Sequence, residues 1–356
     1  MKGNTRQSDV TIGLDLGDKR SQAAVLDAQG ELVEELSVAT TRVGLERAFK
    51  EYSGCLVVME VGTHSPWVSR LLKERGFQVI TANPRQVRLI SQSQRKTDSF
   101  DARILARLGR ADPALLSPVE HRPEQTQKDR ALLQARDALV RCRTLLINQT
   151  RGMAKSLGLR LPSCSADVFD RRVREAVGED LFPGMATLLG TIGQHTQDIH
   201  QLDEQVKRLC QERYPVVATL QQVKGVGPIT ALRFVLTVEE PGRFANSRLV
   251  GAYVGLCPRQ HSSGNQQPQL GISKCGDQAL RRYLVQAAHY ILGPFGPDCD
   301  LRRHGLRISE RGGKNAKKRA AVAVARKLAV LLHHLWQTGE TYEPLFTAER
   351  AARRAA

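Results

Sequence analysis

VTIGLDL, residues Val10–Leu16, is a short apolar run that meets a carboxylate near its end, and it reads as a β-strand. Outward from it, Gln22–Leu26 reads as a second strand. Asp27-Ala28-Gln29-Gly30 has turn chemistry and leads into a third strand at Glu31–Val38, where apolar and polar residues alternate. Gly44–Tyr52 has the spacing of a short amphipathic helix. Cys55–Glu60 (CLVVME) is almost continuously apolar, as a central strand covered on both faces must be. Pro66–Arg75 reads as a helix stopped by Gly76, and Phe77–Thr81 as another strand. Helices are then expected over Pro84–Ile90 and from Thr97 onward.

Three antiparallel strands followed by strand–helix alternation is the ribonuclease-H-like plan, a mixed sheet with helices on its faces. Beyond it, Ala111–Pro123 holds Pro113, Pro118 and Pro123 and reads as a connector. Gln125–Leu157 and Thr191–Arg213 are long polar helices that could pair as an antiparallel coiled coil, although their heptads are too broken to give a register. Leu220–Val238 carries the tight turn Gly225-Val226-Gly227-Pro228 between two helical patterns. A polar, glycine-rich loop, Arg259–Gly276, precedes a helix at Gln278–Leu292, and from Ala320 an apolar helix runs to Trp336. The expected division is 1–118, an α/β domain; 119–215, a helical linker; 216–300, a mainly helical domain; and 301–356, a basic helical region.

Composition narrows the class. The chain has 356 residues, 41% hydrophobic and 25% charged, so it is neither disordered nor a disulfide miniprotein. No stretch approaches the roughly 20 apolar residues of a membrane helix, and Met1–Val10 shows no secretory core. The seven cysteines include no CxxC pair, which argues against a zinc ribbon and fits reduced thiols in the cytoplasm. With 53 Lys and Arg against 36 Asp and Glu, the net charge is +17, which points to a polyanion such as nucleic acid. Aromatics are only 5%, so base stacking is not expected to dominate binding.

Four carboxylates stand out in the first domain. Asp15 ends the first strand, Glu60 ends the central strand, and Asp98 and Asp101 share one face at the start of a helix. In a ribonuclease-H-like sheet the first and central strands are neighbours, so Asp15 and Glu60 would meet, with the Asp98/Asp101 helix closing over them. Such carboxylates repel unless a cation sits among them, and hard oxygen donors select Mg²⁺ or Mn²⁺. Singly, each has an ordinary use: Asp15 ends a strand, Asp98 caps a helix, Asp101 complements its dipole. Glu60 is harder to dismiss, because a carboxylate ending a buried run needs a partner.

Two further patterns are open on residues alone. Gly225-Val226-Gly227-Pro228-Ile229-Thr230-Ala231 is either an ordinary αα-turn or a helix–hairpin–helix turn whose glycines admit a phosphate. His261-Ser262-Ser263-Gly264, flanked by Arg259 and Lys274, reads simply as a polar turn. The section 301–330 is less ambiguous. It holds ten Lys and Arg, among them Arg302, Arg303, Lys314, Lys317, Lys318 and Arg319, against Glu310 alone, as a phosphate-binding face would.

These pieces together resemble the insertion-sequence transposases that join a RuvC-like DEDD domain to a second, serine-bearing transposase domain, the bridge-RNA-guided DNA recombinases. The segments that carry the resemblance are GLDLGDK, VVMEVGT, ANPRQV, RKTDSFDARILA, VKGVGPITA, RFANSRLVGAYVGLCPRQHSSG and GISKCGDQALRRYL, in that order over nearly the whole chain. The resemblance implies that 1–118 is the RuvC-like domain and that Asp15, Glu60, Asp98 and Asp101 are its metal ligands. It implies that Ser263, the serine directly before Gly264, forms a phosphoserine link to DNA. It favours Gly225, Gly227, Arg259, Lys274 and the basic section as nucleic-acid contacts. It further implies dimers pairing into tetramers around two double-stranded DNAs (element ends and target) and a noncoding guide RNA, with a composite site drawn from two subunits in a bacterial or archaeal cytoplasm. A RuvC-type junction endonuclease using water would need the carboxylates but not Ser263. A non-catalytic scaffold would need neither.

Overall fold

The computed structural model describes residues 10–83, 98–259 and 270–346. They fall into two compact units divided between Glu124 and Gln125.

The first unit is built on a five-stranded mixed sheet. β1 (Thr11–Asp15), β2 (Arg20–Leu26) and β3 (Leu32–Ala39) form an antiparallel meander. The helix α1 (Arg42–Ala48) follows, capped by the Thr41 hydroxyl, which accepts from the Gly44 N–H at 3.1 Å. β4 (Leu56–Glu60) lies parallel to β1, α2 (Ser65–Glu74) crosses over, and β5 (Gln78–Ala82) adds parallel to β4. The strand order is β3-β2-β1-β4-β5, so the first and central strands are neighbours, as a ribonuclease-H-like plan requires. The helix expected over Pro84–Ile90 lies outside the described residues. α3 (Asp98–Ala111) begins at the Asp98 end, as the spacing predicts.

The sheet's two faces carry different cores because strand side chains alternate. Ile12, Leu14, Val57 and Met59 point to one face and pack with Leu45, Phe49, Val68, Leu71 and Leu72 of the α1–α2 side. Val58 points the other way and packs with Leu105 of α3 and with Leu116. Gly13 shares that second face: a Cβ there would stand 1.9 Å from the Ala102 carbonyl oxygen and 2.6 Å from the Ala106 nitrogen. Only glycine lets the α3 backbone lie this close to β1.

The second unit is helical. α4 (Glu124–Ser156) and α6 (Pro183–Arg213) flank the short α5 (Phe169–Val177). The two long helices run antiparallel, matched through polar pairs: Asp129 with Arg213 at 2.8 Å, Arg136 with Asp203, and Arg143 with Thr196 at 3.1 Å. The α4 members recur every seven residues, and Ile192, Ile199 and Val206 recur at the same interval on the buried face of α6, so polar pairs and an apolar seam set the register together. α6 starts eight residues earlier than the sequence pattern suggests. Its Gly193 faces the Asp170 carboxylate of α5, 2.8 Å from where a Cβ would be, so a helix-weakening residue is used to admit a neighbour. α7 (Val216–Leu220), α8 (Pro228–Val238), α9 (Arg248–Tyr253), α10 (Gln278–Leu292), α11 (Asp300–Glu310) and α12 (Ala316–Thr338) complete the unit. Leu133 of α4 and Val206 and Cys210 of α6 share one core with Leu232, Phe234, Leu284, Val324 and Leu328 of the later helices. Among the described residues no helix is long and apolar enough to cross a membrane. All seven cysteines are free thiols.

Candidate functional site

Asp15 is the last residue of β1 and Glu60 the last of β4. The two strands are in parallel register through Leu14 and Met59, so the next step sets Asp15 beside Glu60. Asp15 is in phase with Gly13, and Glu60 with Val58, so both carboxylates belong to the face that α3 covers. The direction of α3 follows from its contacts. Its C-terminal Arg110 donates to the Asp27 carbonyl at 3.2 Å and to the Ala28 carbonyl, in the turn after β2. That turn lies by the beginning of β1, since Leu26 pairs with Thr11. The N-terminal end of α3, with Asp98 and Asp101, therefore lies toward the end of β1 that carries Asp15. Asp15, Glu60 and Asp101 are all half-buried. Asp98 is the first residue of α3; its side chain lies outside the described residues. Among the described residues no three His, Cys, Asp or Glu side chains stand together closely enough to hold a metal ion. The described part of the set is thus an edge shared by three carboxylates, not a closed cage.

The same end of the sheet holds a pair that the sequence reading did not single out. His64 follows Glu60 by one loop, and Asp18 follows Asp15 by one turn. The His64 Nε2 meets an Asp18 carboxylate oxygen at 3.3 Å, while its Nδ1 accepts from the Trp67 indole N–H at 3.1 Å. Because Nδ1 is an acceptor, the ring proton sits on Nε2, toward Asp18. The His-x-x-Trp spacing at a helix start was the available signal.

In the second unit, His261, Ser262 and Ser263 lie outside the described residues. Their flanks are fixed by a short antiparallel ladder. The Arg259 N–H donates to the Gly271 carbonyl at 3.0 Å, Ser273 to Cys257 at 2.8 Å, and Lys274 to Gly255 at 3.1 Å. Arg259 and Lys274 are exposed, one on each arm. Lys274 holds φ at +57°, a left-handed conformation that costs a side-chain-bearing residue about 1 kcal/mol. The Arg281 guanidinium donates to the Val254 carbonyl at 3.1 Å and to that of Cys275, clamping both arms.

A buried polar cluster anchors this ladder. Asp277 caps α10 by accepting from the Leu280 N–H at 2.8 Å and from Arg130 of α4 at 2.7 Å, with the Arg233 guanidinium of α8 at 3.7 Å. Burial pushes the Asp277 carboxyl up, but the Leu280 N–H, Arg233 and Arg130 outweigh it and hold the group below the usual carboxylate range. Asp137, buried on α4, accepts from Arg282 at 2.9 Å and from the Tyr283 hydroxyl, and faces Arg233 at 3.7 Å. The cluster ties α4, α8 and α10 together beneath the ladder. Sequence reading gave Arg233 no role, because it sits inside the apolar run TALRFVLTV.

The Gly225–Pro228 turn leads into α8, with Gly227 in the N-cap position. Gly225 has φ +94° and faces α10: a Cβ would stand 2.9 Å from the Tyr290 ring. Gly227 is exposed and open. The predicted basic face divides. The Arg302 guanidinium donates to the Ile291 and Gly293 carbonyls, each at 2.6 Å, so it caps the end of α10. Arg303 pairs with Asp298, its closest approach being 2.6 Å. Lys314, Lys317, Lys318 and Arg319 are exposed around the start of α12. On α11, His304 is pushed down by burial and then by Lys327, Arg307 and Arg311, a mark of crowded positive charge around it.

Comparison with known proteins now fits this geometry. Residues 12–158 match the IS110 DEDD domain family, described as a transposase, and residues 217–297 match the Transposase IS116/IS110/IS902 family. A transposase for insertion sequence element IS1111A from Coxiella burnetii is 30% identical over 341 residues, covering 93% of this chain and 90% of that protein. The chain belongs to the IS116/IS110/IS902 transposase family. A transposase for element IS1328 from Yersinia enterocolitica is 30% identical over 79% of this chain and 83% of its own length. A pilin gene-inverting protein from Moraxella bovis is 25% identical over 78% of each chain. This transposase is thus an enzyme of DNA transposition and recombination.

Proposed function

We propose that the transposase cleaves and rejoins DNA strands through a phosphoserine intermediate, with Asp15, Glu60, Asp98 and Asp101 holding Mg²⁺ or Mn²⁺. The supporting observation is the adjacency of Asp15 and Glu60 on the sheet face covered by α3, at the end where α3 begins with Asp98 and Asp101. Carboxylate oxygens are hard donors and fit a hard divalent ion, and half-buried neighbouring anions call for one. When bound, such an ion supplies Lewis-acid stabilisation of charge on a phosphoryl oxygen.

The chain's own residues supply the rest. Ser263 Oγ attacks phosphorus, a serine O–P bond forms, and the bond to one DNA oxygen breaks, releasing that strand as a hydroxyl. A DNA hydroxyl later displaces the serine. One phosphodiester is exchanged for another, so no ATP is needed. Arg259 and Lys274, exposed on the two arms of the ladder, neutralise the phosphate under attack. Gly227, exposed and open, admits backbone phosphate at the turn that Gly225 seats against α10, and Lys314, Lys317, Lys318 and Arg319 bind the duplex by charge. Arg302 and Arg303 contribute mainly by shaping that surface. A noncoding guide RNA selects the DNA, and dimers pair into tetramers around element end and target, in the cytoplasm.

Asp15→Asn and Asp101→Asn are expected to abolish DNA cleavage while DNA and RNA binding persist. Full cleavage by either variant refutes the role given to the carboxylates. Cleavage by Ser263→Ala at the wild-type rate replaces serine by water as the nucleophile.

A further inference from the structure

α10 ends at Leu292 and is followed by Gly293-Pro294-Phe295-Gly296-Pro297. Phe295 is the most exposed large apolar side chain among the described residues, at 82%. A lone exposed phenylalanine is common on protein surfaces. What sets this one apart is the stiffness of its support. Prolines stand on either side of the Phe295-Gly296 pair and restrict their own φ. The Gly296 N–H donates to the Gly293 carbonyl at 3.2 Å, closing a turn beneath the ring. The Arg302 guanidinium grips the Ile291 and Gly293 carbonyls, each at 2.6 Å. Gly296 is packed so closely that a Cβ would lie 2.2 Å from the Ile291 oxygen. The ring is therefore held out toward solvent by a braced turn, with little entropy left to lose when something covers it.

The surroundings indicate what covers it. Two residues before the end of α10, Tyr290 is 45% exposed and lies against Gly225, in the turn proposed above as a phosphate contact. Lys224 beside that turn is exposed. On the other side, the Asp298 carboxylate is neutralised by the bidentate Arg303. The ring thus follows directly on the helix end whose Tyr290 and Ile291 pack against Gly225, and Asp298, three residues further on, is already paired.

We propose that Phe295 is a wedge that inserts between stacked base pairs of duplex DNA, unstacking one step where the backbone is held by the Gly225–Gly227 turn. Apolar side chains inserted in this way kink a duplex and let it wrap more of the protein. The inference rests on the DNA-recombinase reading and deepens it by assigning the residue that deforms the substrate. It adds no net charge contact, so it predicts an affinity effect without a salt effect.

The test uses the full chain, RNA transcribed from the flanking DNA and a 40-bp duplex from the junction of the element that carries this gene, with 2-aminopurine placed at successive steps. Wild-type protein is expected to raise fluorescence at one step. Phe295→Ala is expected to lose that signal and to weaken binding about tenfold, with an unchanged salt slope and unchanged thermal unfolding. Phe295→Trp is expected to retain both signal and affinity. Wild-type fluorescence and affinity in Phe295→Ala overturn the proposal and leave the recombinase reading standing. Intact DNA binding with lost self-association on sedimentation overturns it too, and assigns the ring to a contact between copies. A wild-type chain that fails to bind the duplex overturns the underlying reading itself.

Discussion

Gly13→Ala is the sharpest probe of how the fold builds the carboxylate edge. The new methyl would meet the Ala102 carbonyl oxygen at 1.9 Å and the Ala106 nitrogen at 2.6 Å. Both are backbone atoms, so no side chain can rotate away. Ordinary contact begins near 3.4 Å, so α3 must retreat by about 1.5 Å where it crosses β1. Overpacking of this kind costs about 1–3 kcal/mol, and a clash against backbone belongs at the upper end. The melting temperature of the first unit should fall by about 3 °C or more for each kcal/mol. The retreat also carries Asp98 and Asp101 away from Asp15 and Glu60. Misplacement by about 1 Å costs on the order of a hundredfold in rate, so cleavage should drop at least that far. DNA binding, assigned to the second unit, should persist. Gly62→Ala is the control, since nothing lies within 4 Å of a Cβ there. Thermal unfolding by circular dichroism and a cleavage time course read both effects. A Gly13→Ala protein with wild-type melting and rate refutes the packing of α3 on β1, and the carboxylate argument with it.

Lys274→Gly should relieve the left-handed backbone and raise stability by up to about 1 kcal/mol, while cleavage falls through loss of the ammonium. A stabilised variant that keeps full activity would reduce Lys274 to a turn residue. Asp137→Ala removes the partner of the buried Arg233, together with the acceptor of Arg282 and of the Tyr283 hydroxyl, and should cost about 3–5 kcal/mol in denaturant unfolding. A loss below about 1 kcal/mol would mean that these groups are solvated and not clustered. Asp277 is held below the usual carboxylate range, so its contribution is complete above the ordinary value of about 4 and disappears as pH falls through the lowered one. Asp277→Asn should therefore flatten the acid limb of the stability curve. A variant that instead lost stability only as pH rose would contradict the sign.

The first unit was legible because its signals are local. VTIGLDL and CLVVME announce strands by apolar content, Asp-Ala-Gln-Gly announces a turn, and the carboxylates sit where those runs end. The second unit hid more. α5 has only Phe169 and Val173 fully buried among charges, which gives periodicity little to show. The start of α6 is masked by Gly184, Gly190 and Gly193, residues that weaken a helix in isolation, of which Gly193 makes room for Asp170. Arg302 looks like part of a basic run, yet its guanidinium is spent on two carbonyls that a sequence cannot bring together. The pairing of Asp137 with Arg233 and Arg282 spans three helices and leaves no mark at any single spacing.

The central claim is that serine chemistry and the carboxylate edge act in one reaction, and covalent trapping tests it directly. Purified chain, Mg²⁺, RNA transcribed from the flanking DNA and labelled junction DNA would be resolved on a denaturing gel beside Ser263→Ala and Asp15→Asn. The account predicts a protein-linked DNA band for the wild type and none for either variant. Cleaved DNA without an adduct, equal in wild type and Ser263→Ala, would contradict it and make the enzyme a hydrolytic nuclease.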